Sequence, residues 1–260
     1  MNRPSNIFSI LTAMLVAIGV NSSAHAQVGV GMNPPADAEV LFDGTRESLD
    51  SNWEYWEGPC FTSSDPIKWN VVRNHFDGGE GHALTSMDPY SSTYGQADIV
   101  TNEKYRDFRF HVEFLIPRGG GNSGVYLDNR YEIQVVEGEE GPHGMAAVIN
   151  EKEAPYELFN GLQMWNAYDI QFRGARFDAN GERTERAMVT MYFNGEKVHE
   201  NVPINQVWGG VCSAIDGGND GGERITPDPG GVKLQAEGHD VRYRNIWMQE
   251  MNFEQPDTDF

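Results

Sequence analysis

The 260-residue sequence predicts an all-β protein, built as a sandwich of antiparallel sheets. Apolar and polar residues alternate in many short segments, which is the two-residue period of half-buried strands. Glycine (29 residues) and proline (13 residues) are frequent, as in chains with many turns. Asn194-Gly195 separates two alternating segments, and this pair favours the tight turn of a β-hairpin. One short helix is predicted between Met145 and Phe159, where Pro155 interrupts it.

The predicted strands follow in order along the chain. The clearest runs from Phe108 to Ile116, where apolar residues occupy every second position. Ser123–Leu127 and Tyr131–Val136 come next and are close enough to form a hairpin across Asp128-Asn129. The later predicted strands are 166–172, 187–193, 196–202, 232–235 and 241–248. About ten short strands of this kind fit two packed antiparallel sheets.

The two ends of the chain differ from the predicted domain in composition. Arg3 precedes an apolar stretch, and Ala24-His25-Ala26 has the small-x-small pattern of a signal-peptide cleavage site. A membrane anchor is disfavoured because the apolar stretch is too short to span a bilayer comfortably. We therefore expect an exported protein, periplasmic or secreted, whose mature chain is not inserted in a membrane. The predicted segments are 1–26 (signal peptide), 27–38 (flexible leader), 39–250 (one domain) and 251–260 (acidic tail).

The charge of the chain restricts its partners. The formal net charge is −20, from 39 acidic and 19 basic residues. Binding to nucleic acid requires a basic surface, so a nucleic acid partner is excluded. Docking on anionic lipid is disfavoured for the same reason. Neutral sugars and cations remain compatible, and the oligomeric state stays open.

The sequence leaves the state of its two cysteines open and gives little support to a metal site. Cys60 and Cys212 form either one disulfide or two buried thiols in an exported protein. The histidines lack the spacing of a transition-metal site. The segment 216–220, with Asp228, carries oxygen ligands that suit calcium, but it lacks the glutamate of an EF-hand loop. We expect no cofactor, and structural calcium in this segment is the alternative.

Several stretches in a fixed order resemble one known family. They are 41–44, 98–101, 105–116, 121–127, 131–135, 165–170, Asn194-Gly195, 234–238 and 241–246. Over about residues 39–250 the sequence is similar to the 3-keto-disaccharide hydrolase family. The resemblance implies a concanavalin A-like (laminarinase-like) jelly roll, bacterial export and action on oxidised sugars. It does not fix the reaction, because one fold hosts many functions.

Three glutamates, Glu132, Glu137 and Glu237, are the candidate catalytic residues. Glu132 and Gln134 lie two positions apart on a predicted strand, so their side chains share the face opposite Ile133. Glutamate is depleted in strand interiors, so Glu132 indicates a role there. Glu237 precedes a Gly-His-Asp turn and is a candidate base or acid. For each glutamate the alternative is a solvated or turn-capping side chain without chemistry.

Glu137 shares the face of Glu132 only if a bulge resets the strand alternation. The stretch then resembles the Glu-x-Asp-x-x-Glu motif of laminarinase-like glycosidases, with Gln134 where that motif has Asp. Retaining hydrolysis needs two carboxyl groups about 5–5.5 Å apart, in opposite protonation states. Without the central Asp, an ordinary retaining mechanism is disfavoured.

Eight polar or aromatic residues are candidate substrate-binding groups. They are Asn122, Ser123, Tyr126, Gln134, Trp165, Asn166, Gln235 and Arg244. Amide and hydroxyl groups of this kind bind sugar hydroxyls. Trp165 is a candidate to stack on a sugar ring, although aromatic side chains more often lie in the core. Arg244 follows Tyr243 on a predicted strand and is expected beside Glu237.

A 3-keto sugar, the substrate class that the resemblance implies, has an acidic proton at C2. A base removes this proton, the C1 substituent leaves by β-elimination, and addition of water completes a net hydrolysis. This route needs one base and a donor for the enolate oxygen. We predict Glu132 or Glu237 as the base, with Gln134, Asn122 or Arg244 holding the sugar oxygens. The alternative is a lectin-like carbohydrate-binding domain without catalysis.

Overall fold

A computed structural model describes residues 28–56, 67–87, 98–207 and 225–258. Strands dominate these residues. In chain order they are β1 (Glu39–Phe42), β2 (Trp53–Tyr55), β3 (Asn70–Arg73), β4 (His82–Thr85), β5 (Ile99–Thr101), β6 (Asp107–Leu115), β7 (Asn122–Leu127), β8 (Tyr131–Val136), β9 (Asn166–Arg173), β10 (Arg176–Phe177), β11 (Arg183–Glu185), β12 (Ala187–Phe193), β13 (Glu196–Ile204), β14 (Lys233–Leu234) and β15 (Arg242–Glu250). Helix α1 spans Arg46–Asn52, and a 3₁₀ turn spans Tyr156–Leu158.

The strands form two antiparallel sheets. The larger, eight-stranded sheet has the order β13-β12-β9-β6-β15-β4-β3, and β1 adds to β15. The smaller, five-stranded sheet has the order β2-β5-β14-β7-β8. Strands β10 and β11 form a separate hairpin. The predicted all-β jelly-roll sandwich of the concanavalin A-like type is confirmed.

Alternating side chains of the two sheets form one hydrophobic core. Phe110 and Phe114 of the large sheet are fully buried in this core, as are Val125 and Ile133 of the small sheet. Because successive strand residues point to opposite faces, the intervening residues of β7 and β8 lie on the outer face of the small sheet. This alternation places Glu132 on that outer face.

Two hairpins have the turn chemistry that the sequence indicates. Strands β7 and β8 pair in register around a turn in which Asp128 and Asn129 have φ of 55° and 52°. Strands β12 and β13 meet at Asn194 and Gly195, with φ of 52° and 90°. Asparagine and glycine tolerate this left-handed backbone, so they favour tight hairpin turns.

The helix that the sequence predicted does not form, and a helix that it did not predict is present. Between Met145 and Phe159 only the short 3₁₀ turn forms, and residues 146–149 instead bond to the outer edge of β8. Helix α1 was not predicted because its seven residues carry too little periodicity. Its start is fixed by Thr45, whose side chain accepts a hydrogen bond from the Ser48 amide.

The start of the predicted flexible leader is bound to the large sheet. The Gly29 amide donates to Asp169 Oδ2 at 2.6 Å, and the Gly31 amide donates to Glu113 Oε1 at 2.7 Å. Asn245 Nδ2 donates to the Met32 carbonyl at 2.8 Å. The buried carboxylates require donors, and the backbone of this segment supplies them. The sequence prediction of a flexible segment is therefore corrected for these residues.

The acidic tail also contacts the large sheet. Thr258 is fully buried, and its hydroxyl lies 2.9 Å from the Thr190 hydroxyl.

Other predictions lie outside the described residues: the signal peptide, the cysteine pair Cys60 and Cys212, and the calcium candidate 216–220. In the part of the chain that the structure describes, no helix is both long and apolar enough to cross a bilayer.

Candidate functional site

A group of ionisable side chains lies on the outer face of the small sheet. Glu132 comes from β8, Lys233 from β14, Asp98 directly precedes β5, and Glu237 follows β14 by three residues. Each of the three acidic groups interacts electrostatically with Lys233. We refer to Asp98, Glu132, Lys233 and Glu237 as the carboxylate–lysine cluster. The cluster thus draws its residues from β8, from β14 and the chain that follows it, and from the start of β5, all in one sheet.

Lys233 is the buried cation of this cluster, with only 1% of its surface exposed. Its ammonium lies 3.2 Å from Asp98 Oδ2. It also lies 3.9 Å from the ring centroid of Trp56 and 3.8 Å from that of Tyr126. Aromatic faces attract cations, so the two rings offset part of the lost hydration. Burial lowers the pKa of Lys233, while the nearby carboxylates oppose this change.

Glu132 is a buried carboxyl group, 4% exposed. Burial raises its pKa from an ordinary value of 4.5 to about 8, although a hydrogen bond from Tyr126 and the charge of Lys233 oppose the rise. Repulsion from Glu237 and Asp98 adds to the rise. Glu132 is therefore mostly protonated at pH 7. A carboxyl group tuned toward neutral pH is typical of acid–base sites.

The other two carboxyl groups of the cluster are shifted in the same direction. Burial raises the pKa of Asp98, which the Lys233 charge partly counters. Burial and repulsion from Asp98 raise the pKa of Glu237, while His239 and Lys233 lower it. Three carboxyl groups around one ammonium repel each other when all are ionised. The cluster therefore holds protons at a higher pH than isolated carboxylates do.

Tyr126 connects the cluster to a neighbouring amide. Its hydroxyl accepts a hydrogen bond from Gln235 Nε2 at 3.1 Å and forms a hydrogen bond with Glu132. Burial and the nearby carboxylates raise the pKa of Tyr126 well above 10, so the phenol stays neutral. A neutral phenol fixed in this way can donate a hydrogen bond to a carboxylate or a substrate oxygen.

Gly124 provides the space for the Glu132 carboxyl group. An added Cβ atom at position 124 would overlap Glu132 Oε1 and lie 2.9 Å from Glu132 Cδ. Gly124 is paired with Gln134 across the two strands, and Tyr126 is paired with Glu132. The absence of a side chain at this one position of β7 therefore sets where the carboxyl group lies.

Two further predicted residues lie on the same outer face. Gln134 is buried, and its Oε1 accepts a hydrogen bond from the Val135 amide at 3.1 Å. Asn122 lies at the start of β7, and its buried Oδ1 has no hydrogen-bond partner among the described residues. An unsatisfied buried oxygen of this kind is costly, so Asn122 is suited to receive a ligand hydroxyl.

Glu137 lies away from the cluster. The β7–β8 pairing runs from Asn122↔Val136 to Leu127↔Tyr131 without a bulge, so the alternation is not reset. The Glu137 carboxylate accepts a hydrogen bond from the Gly120 amide at 2.8 Å. Glu137 thus caps the glycine-rich loop before β7, and the structure does not bring it beside Glu132.

Ser123 lies on the inner face of the small sheet. Its hydroxyl donates to the Gln235 carbonyl at 2.7 Å and accepts from the Tyr243 hydroxyl at 2.6 Å. The strand alternation that places Tyr126 outside sends Ser123 inside. Ser123 therefore links the two sheets through hydrogen bonds and does not lie on the outer face with Glu132.

Three predicted residues, Arg244, Asn166 and Trp165, lie in or directly beside strands of the large sheet. Arg244 Nε donates to Glu113 Oε2 at 2.7 Å, and its guanidinium carbon lies 4.0 Å from the Trp165 ring centroid. Asn166 accepts hydrogen bonds from the Asn160 amide and from Asn194. The expectation that Arg244 lies beside Glu237 is corrected. Tyr243 faces the core, so alternation directs Arg244 to the opposite, outer side of the large sheet.

Sequence reasoning missed Lys233, Asp98 and Trp56. One signal was present: Lys233 stands between the apolar residues Val232 and Leu234 in a predicted strand. Lysine is almost never fully buried unless it is paired, so its position in an apolar strand requires a carboxylate partner. The sequence does not show that Asp98 is that partner, because the two residues are far apart in the chain.

The described residues offer no clustered ligands to a metal ion. Among them, no group of three or more His, Cys, Asp or Glu side chains is arranged to hold a metal ion.

The fold and site define a jelly-roll protein with acid–base groups on the outer face of one sheet. The family model of the 3-keto-alpha-glucoside-1,2-lyase-like domain matches residues 37–249, and the chain belongs to this family. The predicted family resemblance is thus confirmed. A comparison with curated proteins finds no match.

Solved structures share this fold. A putative glycosyl hydrolase from Parabacteroides distasonis ATCC 8503 is 25% identical, with a TM-score of 0.62 over 84% of this chain and 85% of that chain. A second putative glycosyl hydrolase from the same organism is 16% identical, with a TM-score of 0.51 over 83% of this chain and 94% of that chain. The second likeness shows the fold alone. Family membership and the first relative support a carbohydrate-active function.

Proposed function

We propose that this protein cleaves the glycosidic bond of 3-keto-glucosides by elimination across C1 and C2. The observation that carries the proposal is the buried Glu132, whose pKa is raised to about 8, on one sheet face with Lys233 and Glu237. The family's description, a 3-keto-alpha-glucoside-1,2-lyase-like domain, supports this substrate class and this bond. The reaction takes place on the outer face of the small sheet.

The first step removes the proton at C2. Ionised Glu132 takes the proton, the C2–H electron pair forms a C2=C3 double bond, and the ketone oxygen becomes an enolate oxygen. A carboxylate with a raised pKa is a stronger base than an ordinary one. The positive charge of buried Lys233 and the neutral Tyr126 hydroxyl stabilise the negative charge that develops nearby.

The second step breaks the glycosidic bond. The enolate electrons restore the C3 ketone, a C1=C2 double bond forms, and the bond from C1 to the leaving oxygen breaks. Glu237 gives its proton to the leaving oxygen, and burial, which raises the pKa of Glu237, favours the protonated form that this step needs. Addition of water across C1=C2 then yields the free 3-keto sugar. Exchange with solvent returns Glu132 and Glu237 to their starting protonation states.

Direct displacement by a carboxylate pair has less support in this chain. That mechanism needs two carboxyl groups on either side of the glycosidic bond, about 5–5.5 Å apart in retaining enzymes. Glu137, the partner that the laminarinase-like pattern would require, is bonded to the Gly120 amide. Gln134 occupies the central position of that pattern and carries no charge.

Product analysis tests this function. The purified protein is incubated with 3-keto disaccharides and with their unoxidised parents, and products are identified by mass spectrometry. We expect cleavage of the keto forms only, and a loss of at least about 100-fold in kcat/KM for Glu132→Gln, the scale of a general base. Glu200→Gln is the matched control, because Glu200 is an exposed glutamate of the large sheet.

Two results would contradict the proposal. Equal cleavage of the unoxidised parents would indicate an ordinary glycosidase. Binding of the keto sugars without cleavage would identify a lectin-like domain.

We also propose that the protein acts outside the cytoplasm, because residues 1–26 have the pattern of a secretory signal. Cell fractionation tests this location. Recovery of the protein in the cytoplasm, with residues 1–26 still attached, would contradict it.

A further inference from the structure

A cavity of about 290 Å³ is lined in part by Gly238, the residue that follows Glu237 of the carboxylate–lysine cluster. It is formed by the glycine-rich loop at Arg118–Gly121, between β6 and β7, and by the turn at Gly238–Asp240, before β15. Ligand pockets have volumes of roughly 300–1,000 Å³, so this cavity suits a small group. None of the catalytic steps above uses it.

The same two chain segments carry the cluster and the cavity. Strand β14 pairs with β7, with Lys233 opposite Tyr126, and the Gln235 amide donates to the Gly124 carbonyl at 3.0 Å. Further along, the His239 ring bonds to the Gly120 carbonyl. Gly121 lines the cavity and lies three residues before Gly124. Three residues of extended chain span about 10 Å. This distance is comparable to the length of a disaccharide.

Glu237 lies at the junction of the two regions. It belongs to the cluster, and the next residue, Gly238, lines the cavity. The charge of His239, which also lines the cavity, lowers the pKa of Glu237. A sugar ring held over Glu132 would therefore place its glycosidic oxygen near Glu237, with the leaving group directed toward the cavity.

The cavity presents a donor beside an acceptor. The Arg118 side chain is 69% exposed, and its Nη2 lies 3.9 Å from Asp240 Oδ2, beyond hydrogen-bond distance. Asp240 is buried and held by Thr85 and Arg242. A hydroxyl group both donates and accepts, so it fits this pair, whereas an anion would be repelled by Asp240. At Gly120 an added Cβ would meet no atom within 4 Å, so the loop leaves this side open.

We propose that this cavity binds the leaving group of the 3-keto-glucoside, a neutral, hydroxyl-rich group of monosaccharide size. Arg118 is the residue that recognises it, by donating hydrogen bonds to its hydroxyls. The inference rests on the proposed function, since it assigns one ring to Glu132 and the other to the cavity.

Arg118→Met tests the inference with two substrates that share the 3-keto ring. One is a 3-keto disaccharide of two glucose units, and the other is the methyl 3-keto-glucoside, whose leaving group is too small to fill the cavity. We expect kcat/KM for the disaccharide to fall about 10-fold, mainly through KM, because a hydrogen bond from a charged donor is lost. For the methyl glycoside we expect less than a 2-fold change. Arg183→Met, at an exposed arginine of β11, is the matched control.

Equal losses for both glycosides, or no loss for either, would overturn the inference. Cleavage of neither glycoside by the wild-type protein would instead mean that the proposed function fails. Titration calorimetry then decides about the cavity, because binding does not require turnover. If Arg118→Met binds the disaccharide more weakly than the wild type does, while its binding of the methyl glycoside is unchanged, the cavity is retained as a sugar site. Unchanged binding of the disaccharide would exclude a sugar site in the cavity.

Discussion

The carboxyl group of Glu132 lies over Gly124, in the space that any other side chain at position 124 would fill. The two residues lie on neighbouring strands, β8 and β7, whose pairing is regular. This relationship fixes the proposed base relative to Tyr126 on the same face. Its consequence is that a change at Gly124 should act on chemistry through Glu132.

Gly124→Ala should therefore lower activity with little effect on folding. The added methyl group displaces only the flexible end of Glu132, and the backbone at Gly124 is not left-handed, so the fold tolerates alanine. We expect kcat/KM to fall at least about 10-fold, because small misplacement of a catalytic group is costly. Thermal unfolding measures the folding effect, and we expect Tm to change by only a few degrees.

A double-variant cycle separates this positioning role from a general structural one. Gly124→Ala combined with Glu132→Gln should be no less active than Glu132→Gln alone, because both changes affect one group. Additive losses would contradict the positioning role of Gly124.

The pH dependence of kcat/KM should show the ionisation of Glu132. Because a base acts when it is ionised, activity should rise with pH through an apparent pKa of about 8. The charge of Lys233 lowers this pKa, so Lys233→Met should shift the rising limb to higher pH. Steady-state kinetics from pH 5 to 9 measure both effects. An unshifted limb in Lys233→Met, or activity that falls from pH 6 to 8, would contradict the assignment.

Glu132→Gln should stabilise the protein at neutral pH while it removes activity. Between pH 4.5 and 8 the unfolded chain ionises Glu132 and the folded protein keeps the proton, so wild-type stability falls as pH rises. Glutamine cannot ionise, so the variant should be more stable at pH 7.5 by about 1–3 kcal/mol. Urea unfolding at pH 5 and 7.5 checks this. The difference should shrink at pH 5, and an equal difference at both pH values would argue against a buried, protonated Glu132.

Glu113→Gln should affect stability and leave activity unchanged, because Glu113 lies on the outer face of the other sheet. Burial raises its pKa, but hydrogen bonds from His111 and Asn245 and the charge of Arg244 outweigh this and lower the pKa to about 2. The stabilisation is thus present above pH 4.5 and is lost as pH falls through 2. We expect a loss of about 2–4 kcal/mol at pH 7, smaller at pH 3. A fall in kcat/KM without a fall in stability would instead implicate this face in substrate binding.

The alternation of apolar residues predicted the strands and the face of Glu132, because it depends only on neighbouring positions. The Asn194-Gly195 turn was predictable for the same reason. Alternation does not show to which of the two sheets a strand belongs. Arg244 was therefore expected beside Glu237, whereas it lies over Trp165 on the large sheet. The pair of Lys233 and Asp98 was missed because the two residues are far apart in the chain and are brought together only by the tertiary pairing of β14 with β5.

The fate of the C2 hydrogen tests the proposed elimination most directly. A 3-keto-glucoside that carries deuterium at C2 is incubated with the protein, and the released keto sugar is examined by mass spectrometry and NMR. Incubation without protein, and with Glu132→Gln, corrects for spontaneous exchange at this acidic position. We expect slower cleavage of the deuterated substrate and loss of the label to solvent as the glycosidic bond breaks. Cleavage at an unchanged rate, with deuterium retained at C2, would show direct displacement at C1 and contradict the role of Glu132 as the base.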